Sequence, residues 1–338
     1  MQVEINKLPD SEIEITGEIS AGDFENCREA VMKEFGESLK LDGFRPGKIP
    51  EKILIEKAGE TAILERMAEM ALQKVYPKIL EENKINAIGR PSITITKIAK
   101  DNPLGFKART AVMPEIELAD YKAIAGEIMK EKEEISVDEK EVGQTLEYLR
   151  KSRAQKNEKD EEVLPELNDD FAKALGKFET MEDLKKVLYS NIEEEKKIKN
   201  REQKRVKTLE KIIEQSKIEV PKIIIESEKE KLLEETKANV SQTGLAWENY
   251  LIQNKKTEEE LKNSHEETAV KRAKFGLVLN EIAEKEKTEV SEEEVQKEAE
   301  KLIEYYKNFG QNIDLARAKA YTYGILRNEK IFRLLEES

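Results

Sequence analysis

Hydrophobic and polar residues alternate with a period of two at the start of the chain. Val3 and Ile5 lead into a Pro9-Asp10-Ser11 turn, and Ile13, Ile15 and Ile19 resume the alternation, so residues 1–20 are predicted as a β-hairpin. The period then becomes helical, with Phe24, Cys27, Val31, Phe35 and Leu39 on one face of a segment spanning 23–40. Pro50 suits the first position of a short helix ending near Lys57. A longer helix, about Glu60 to Glu82, keeps Ile63, Met67, Met70, Ala71 and Ile79 on one side. Two strands follow, one with Ile93 and Ile95, the other with Phe106, Ala108, Thr110 and Val112, joined by an Asp101-Asn102-Pro103 turn. The order ββ-ααα-ββ predicts an α+β domain over residues 1–112.

Beyond Met113-Pro114 the punctuation changes: of nine prolines only Pro165 and Pro221 remain. Ile116, Leu118, Tyr121 and Ile124 alternate weakly, and residues 113–135 are expected to form an extended linker. Helix-start signals then recur, in which a side chain satisfies a free backbone N–H: Ser136-x-x-Glu139, Thr257-x-x-Glu260, Ser291-x-x-Glu294 and the weaker Thr180-x-x-Asp183. Helices are predicted near 137–157, 168–176, 181–216, 221–242, 245–253, 258–286, 292–309 and 313–336. Their apolar stripes are thin. Helix 181–216 carries Leu184, Leu188, Ile192, Val206, Leu209 and Ile213 around a charged middle. So little apolar face cannot be sheathed by protein on all sides, which predicts an elongated all-α domain with arm-like helices over 136–338.

Aromatic residues gather near the C-terminus at Tyr305, Tyr306, Phe309, Tyr321, Tyr323 and Phe332. They could form the small core of the helical domain, or line a concave surface open to unfolded chain. Ile224, Leu232, Trp247 and Leu251 carry the same two readings.

Composition agrees with long solvated helices: 39% of residues are charged and 6% aromatic. The net charge of −13 argues against general nucleic-acid binding and against DNA. It is unevenly spread, since residues 1–112 hold 17 basic and 19 acidic side chains and the remainder carries most of the excess. The one cysteine, Cys27, excludes an intramolecular disulfide framework and reads as a small buried residue. His265, the one histidine, stands beside Ser264, Glu266 and Glu267 and is expected on a solvated face. No metal-ligand spacing, Walker loop or GxGxxG is found, so neither metal nor cofactor is expected. A Ser or Cys nucleophile would lack a convincing base. Acidic runs such as Glu193-Glu194-Glu195 before Lys196-Lys197 read as ion-paired helix surface. The N-terminus shows no signal-peptide pattern, and no run approaches the roughly 18 apolar residues of a membrane span, so a soluble cytoplasmic protein is expected.

The most specific stretch is Gly43-Phe44-Arg45-Pro46-Gly47-Lys48-Ile49-Pro50, between two helical patterns. Two prolines fix φ, the residues before them are pushed to extended conformations, and two glycines allow a sharp reversal. Such a loop displays an apolar ring and two cations with little freedom left to lose on docking. The octapeptide resembles the G-F-R-x-G-K-x-P signature of trigger factors, the bacterial ribosome-associated chaperones, and matches every fixed position. The resemblance covers 1–112 strongly. It extends over 113–338 through helical architecture and stretches such as Leu164-Pro165-Glu166-Leu167 followed by Phe171.

This resemblance implies docking on the ribosome through Phe44, Arg45 and Lys48, with Gly43, Pro46, Gly47 and Pro50 shaping the loop. The implied partners are an exit-tunnel rim protein, ribosomal RNA and unfolded nascent polypeptides, with homodimers as family members form. Client contacts would fall on Ile224, Leu232, Trp247, Leu251, Tyr305, Tyr306, Phe309, Tyr321 and Tyr323. The chaperone would be ATP-independent, assisting folding and export. One departure stands out. Family members usually insert a prolyl isomerase domain, which needs at least about 50 residues to fold. Here residues 156–163 join the flanking helices, and the domain is expected to be absent, with no catalytic residues. Two rivals are a helical scaffold for one fixed partner and a peptidyl-prolyl isomerase with residual activity. The scaffold calls for sustained heptads, which the charged middle of 181–216 breaks.

Overall fold

A computed structural model describes residues 3–39, 44, 49–131, 135–156, 162–308, 310 and 312–338. The hairpin β1 (Val3–Leu8) and β2 (Glu12–Ile19) is followed by α1 (Ala21–Glu25), α2 (Arg28–Ser38), α3 (Glu51–Ala58) and α4 (Glu60–Glu82). Strands β3 (Ala87–Lys97) and β4 (Leu104–Val112) complete the N-terminal part. Then come α5 (Tyr121–Met129), α6 (Glu139–Ser152), the two-residue strands β5 (Gln155–Lys156) and β6 (Glu162–Val163), and α7 (Asp169–Leu175). The remaining helices are α8 (Met181–Gln215), α9 (Lys222–Gln242), α10 (Trp247–Asn254), α11 (Glu258–Asn263), α12 (Glu266–Lys285), α13 (Glu292–Asn308) and α14 (Leu315–Glu336). The α+β start followed by helices agrees with the sequence. Contacts divide the chain into two units that do not follow its linear order: residues 1–117 with 217–277, and 118–216 with 278–338.

The first unit is built on an antiparallel sheet of order β1-β2-β4-β3. Its register sets Ile13 against Thr110, Ile15 against Ala108 and Ile19 against Leu104. Opposed residues share a face, and all six are buried. Against that face pack Phe24, Cys27, Val31, Ile63, Met67 and Leu72 from the helices. The expected helix 23–40 is interrupted at Asn26-Cys27. Ser20 caps the first piece by accepting from the Asp23 N–H at 3.1 Å, and Cys27 is buried.

Helix α9 belongs to this unit because the sheet makes room for it. Gly89 has φ +75°, and a Cβ there would lie 2.1 Å from the Ile223 side chain. Lys222 pairs with Asp10 at 2.6 Å, and Glu219 accepts from the Ser11 N–H at 3.1 Å. The expected helix 258–286 is broken into α11 and α12. His265 lies at the break, half-buried with its Nε2 enclosed and unpartnered, rather than on a solvated face.

The second unit corrects two local expectations. Residues 121–129 are helical, not extended. Asp120 caps α5 by accepting from the Ala123 N–H at 3.1 Å, and Ile124, Ala125 and Ile128 are buried at helical spacing. The alternation read from Ile116 to Ile124 is too short to separate the two periods. Helix α6 starts at an Asp138–Glu141 capping box, two residues after the expected Ser136–Glu139 pair, which turns Val142 and Leu146 inward. The boxes at Thr180, Thr257 and Ser291 form as read.

Helix α8 shows how a thin apolar stripe is held. Its buried positions are Leu184, Leu188, Arg205, Thr208, Leu209 and Ile212. The expected Val206 is exposed, and Arg205 takes the inward place at 7% exposure. The Arg205 guanidinium grips Glu329 bidentately at 2.9 and 3.0 Å and donates from Nε to Glu336 at 2.6 Å. Arg201 holds both Glu336 oxygens at 2.7 and 2.6 Å, and the Phe332 ring lies 4.8 Å from the Arg205 guanidinium carbon. Lys207 pairs with Glu131 and Lys211 with Glu127, tying α8 to the end of α5.

The Arg205 network should govern the acid stability of this unit. Arg205, ahead of Arg333 and Arg201, holds Glu329 below the usual carboxylate range. Burial pulls Glu336 up, but Arg201 and Arg205 more than reverse it. Both carboxyls are therefore depressed on folding. Their stabilisation is complete above the ordinary carboxylate pKa and lost as pH falls through the folded values. Urea unfolding at neutral pH should show Arg205→Ala less stable by about 2–3 kcal/mol, since the charge-assisted hydrogen bonds to two part-buried carboxylates are lost while Arg201 and Arg333 still hold them. The deficit should shrink below about pH 4. Equal stability of variant and wild type at pH 7 would refute this.

Candidate docking loop and apolar surfaces

The loop between α2 and α3 is held at its base. Arg28 of α2 reaches Glu51 of α3 at 3.0 Å, and Arg66 of α4 reaches Glu34 of α2 at 3.0 Å. Ile49 and Leu54 are buried, and Pro50 is extended (φ −60°, ψ 141°) immediately before α3. Phe44 is 39% exposed. Gly43, Arg45, Pro46, Gly47 and Lys48 lie outside the described residues.

The candidate client residues fall in both units. In the first, Ile224 is half-buried, and Leu232 is 7% exposed and so closed to a ligand in this form. Trp247 and Leu251 are half-buried on α10, a helix with no fully buried residue. Trp247 stacks on Tyr250 at 5.4 Å between centroids and donates from its indole N–H to Glu258 at 2.8 Å. Lys237 lies 5.7 Å from the Trp247 ring centroid and 3.0 Å from Glu258. Lys237, with Trp247, keeps the Glu258 carboxyl below its usual range. The aromatic pair is thus fixed by polar contacts while Ile252, which sequence reading did not single out, is 72% exposed.

In the second unit α13 and α14 pack through small residues, with Ala299 and Ala318 buried. Lys330 and the Ser291 cap hold Glu294 down to about 2, which fixes the start of α13 against α14. Toward the turn the two helices leave a groove of about 760 Å³ lined by Leu302, Tyr306, Ile313, Arg317 and Tyr321, among others. Tyr305 meets Tyr306 edge to face at 5.7 Å and is 60% exposed. Tyr321 and Tyr323 are 59% and 40% exposed, and Phe309 lies outside the described residues. Tyr306 and Tyr321 line a groove, while the buried positions of α14 are Ala318, Thr322, Ile331 and Leu335 rather than its aromatics.

Among the described residues no three His, Cys, Asp or Glu side chains gather as a metal site requires. Nor is any described helix long and apolar enough to cross a membrane. The geometry offers contact surfaces: a braced loop bearing an exposed ring, and helices with uncovered aromatic and aliphatic side chains.

A small α+β sheet domain with such a loop, continued by charged helices, is the architecture of a ribosome-associated chaperone family. Residues 1–149 match the model for bacterial trigger factor protein, and residues 180–336 match the model for its C-terminus. The chain belongs to the trigger factor family. It is 27% identical to the trigger factor of Caldicellulosiruptor bescii over 392 residues, covering 90% of this chain and 89% of that protein. It is 24% identical to that of Halalkalibacterium halodurans over 425 residues, covering 99% and 98%. A solved structure reported for promiscuous substrate recognition in folding and assembly by the trigger factor chaperone shares the fold. Its TM-score is 0.57 at 20% identity, over the whole of both chains.

Both alignments are longer than the 338 residues of this chain, so the relatives hold residues inside the aligned span that are missing here. The stretch 150–179 lies between the two matched ranges, and in it β5 pairs with β6, Gln155 opposite Val163. The chain is a trigger factor form without the prolyl isomerase domain.

Trp247 is the only tryptophan and reports directly on α10. Adding a reduced, unfolded client protein should shift its emission to shorter wavelength, because an apolar occupant displaces water from the ring. Ile252→Asp should at least halve that shift while leaving the circular dichroism unchanged. An unmoved spectrum with wild type would remove α10 from the contact surface.

Proposed function

We propose that this chain is a cytoplasmic, ATP-independent chaperone that docks at the ribosomal exit tunnel and shelters nascent polypeptides. The domain of residues 1–112 is the docking module. Phe44 inserts into an apolar site of a rim protein, and Arg45 and Lys48 contact ribosomal RNA phosphate or an acidic rim side chain. The helical region then receives emerging apolar segments, assisting folding and export. It works without catalysis: no isomerase domain is present, and the described surfaces offer contacts rather than an acid–base pair.

The observation that carries this reading is the exposure of large apolar side chains along charged helices: Ile252 at 72%, Tyr305 at 60% and Tyr321 at 59%. Beside them Tyr306 and Tyr321 line one groove and Trp247 stacks on Tyr250, and contiguous apolar surface of this kind marks contact sites. Each contact is small, so binding to any one client segment is weak and multivalent, which suits many partners. Release needs no nucleotide. A client that buries its own apolar segments removes them from the binding equilibrium. The charges around each surface keep the empty chaperone soluble.

Co-sedimentation with bacterial ribosomes across a salt series tests the docking step. Two or three phosphate contacts predict a log–log slope of about −1.5 to −3. The Phe44→Ala, Arg45→Ala, Lys48→Ala variant should bind at least tenfold more weakly while suppressing aggregation of a denatured client as well as wild type. Equal ribosome binding by both proteins would overturn the docking role of the loop. Failure of wild type to suppress aggregation would overturn the chaperone role.

A further inference from the structure

Helices α6, α7 and the first half of α8 enclose their own small core of Val142, Leu146, Phe171, Ala172, Leu184 and Leu188. Part of this hub, residues 150–179, is matched by neither family model. Beside the core runs a groove of about 610 Å³, a size typical of ligand clefts. Its α6 wall is Glu139, Val142, Gly143 and Leu146, spaced i, i+3, i+4, i+7, and its α8 wall is Glu182, Lys185, Lys186 and Tyr189, spaced the same way. Met181 and Leu167 close the ends of the apolar floor. Leu167 is 38% and Tyr189 46% exposed.

Two features define the occupant. Gly143 strips one wall to backbone, and a Cβ built there meets nothing within 4 Å, so the space belongs to the groove and not to the fold. The lips carry opposite charges. Lys186 is neutralised by Glu182 at 3.2 Å, whereas Lys185 on α8 and Glu139 on α6 have no ion-pair partner among the described residues. The described lining is therefore neutral on a chain of net charge −13, with Lys185 on the α8 wall and Glu139 on the α6 wall of an apolar floor.

We infer that this groove is a second client site: it takes a short stretch of non-native polypeptide whose leucine or aromatic side chains lie on the floor between Val142, Leu146 and Met181. An acidic residue on one flank meets Lys185, and a basic residue on the other meets Glu139. Met181 and Tyr189 give an adaptable, amphipathic lining that accepts different apolar side chains. The inference rests on the chaperone reading and adds to it a contact site between α6 and the start of α8.

The test uses the full chain and a fluorescein-labelled peptide with Leu-Phe-Leu between a lysine and a glutamate, read by anisotropy. Gly143→Trp fills the groove, and replacing a mid-helix glycine does not oppose the helix. It should weaken peptide binding at least tenfold with an unchanged thermal unfolding profile. Lys185→Glu should weaken the same peptide about threefold and strengthen one whose glutamate is replaced by lysine. A Tyr306→Ser, Tyr321→Ser variant should keep this binding. The proposal is overturned if Gly143→Trp binds like wild type, or if a peptide with serines in place of Leu-Phe-Leu binds equally well. It is also overturned if Gly143→Trp changes only concentration-dependent self-association, since the occupant is then a second copy. Loss of aggregation suppression by wild type itself would instead count against the chaperone reading.

Discussion

Arg205 lies almost wholly inside the second unit, where α8 has too few apolar side chains to bury. Its guanidinium serves Glu329 and Glu336 at once, and Arg201 satisfies the second oxygen of Glu336. A buried arginine is costly unless its donors are met with good geometry, and a bidentate pair plus a third hydrogen bond meets that condition. The planar Phe332 ring covers the guanidinium face. The position of α14 thus depends on directional bonds to α8 as well as on buried Ile331 and Leu335. Lysines at 204, 207 and 211 repeat the device along α5, with Lys204 reaching the carbonyls of Met129 and Glu131 at the helix end.

Holding helices together by charge has a consequence for function. Apolar side chains that a packed bundle would consume remain available outside. Trp247 is held by Glu258 and Lys237 and stacks on Tyr250, so its ring is positioned before any ligand arrives. Tyr306 and Tyr321 stand over a groove whose walls are set by the Ser291–Glu294–Lys330 contacts further along the same helices. Rigid surfaces of modest area bind without a large ordering cost, and their small size keeps each contact weak. The N-terminal sheet works differently. Its closed apolar core and the Arg28–Glu51 and Arg66–Glu34 braces give the candidate docking loop a firm base.

The sequence made most of this architecture legible because its signals are local. Period two in Ile13, Ile15 and Ile19, and capping boxes at Thr180, Thr257 and Ser291, act within a few residues and survive folding unchanged. Helix α5 was hidden because four alternating positions fit either period, and Asp120 as a cap is no stronger a signal than the many other aspartates. The inward turn of Arg205 was hidden for a different reason. Nothing near residue 205 marks it as buried; its partners Glu329 and Glu336 are more than a hundred residues away. The signature loop was readable as a motif, and its flanking helices and exposed Phe44 are where the pattern put them. Candidate client surfaces were readable only as a list of apolar residues. Leu232 is buried and Ile252 exposed, and no periodicity separates the two.

The most direct test joins the two halves of the account on a translating ribosome. A photo-crosslinking phenylalanine analogue at position 321 would be irradiated with ribosomes stalled on a nascent chain rich in apolar segments. Crosslinks from position 321 to the nascent chain are expected, and they should be lost when Phe44, Arg45 and Lys48 are alanine. Crosslinks that persist in the loop variant, or that are absent from both proteins, would contradict a chaperone that meets its clients by docking at the exit tunnel.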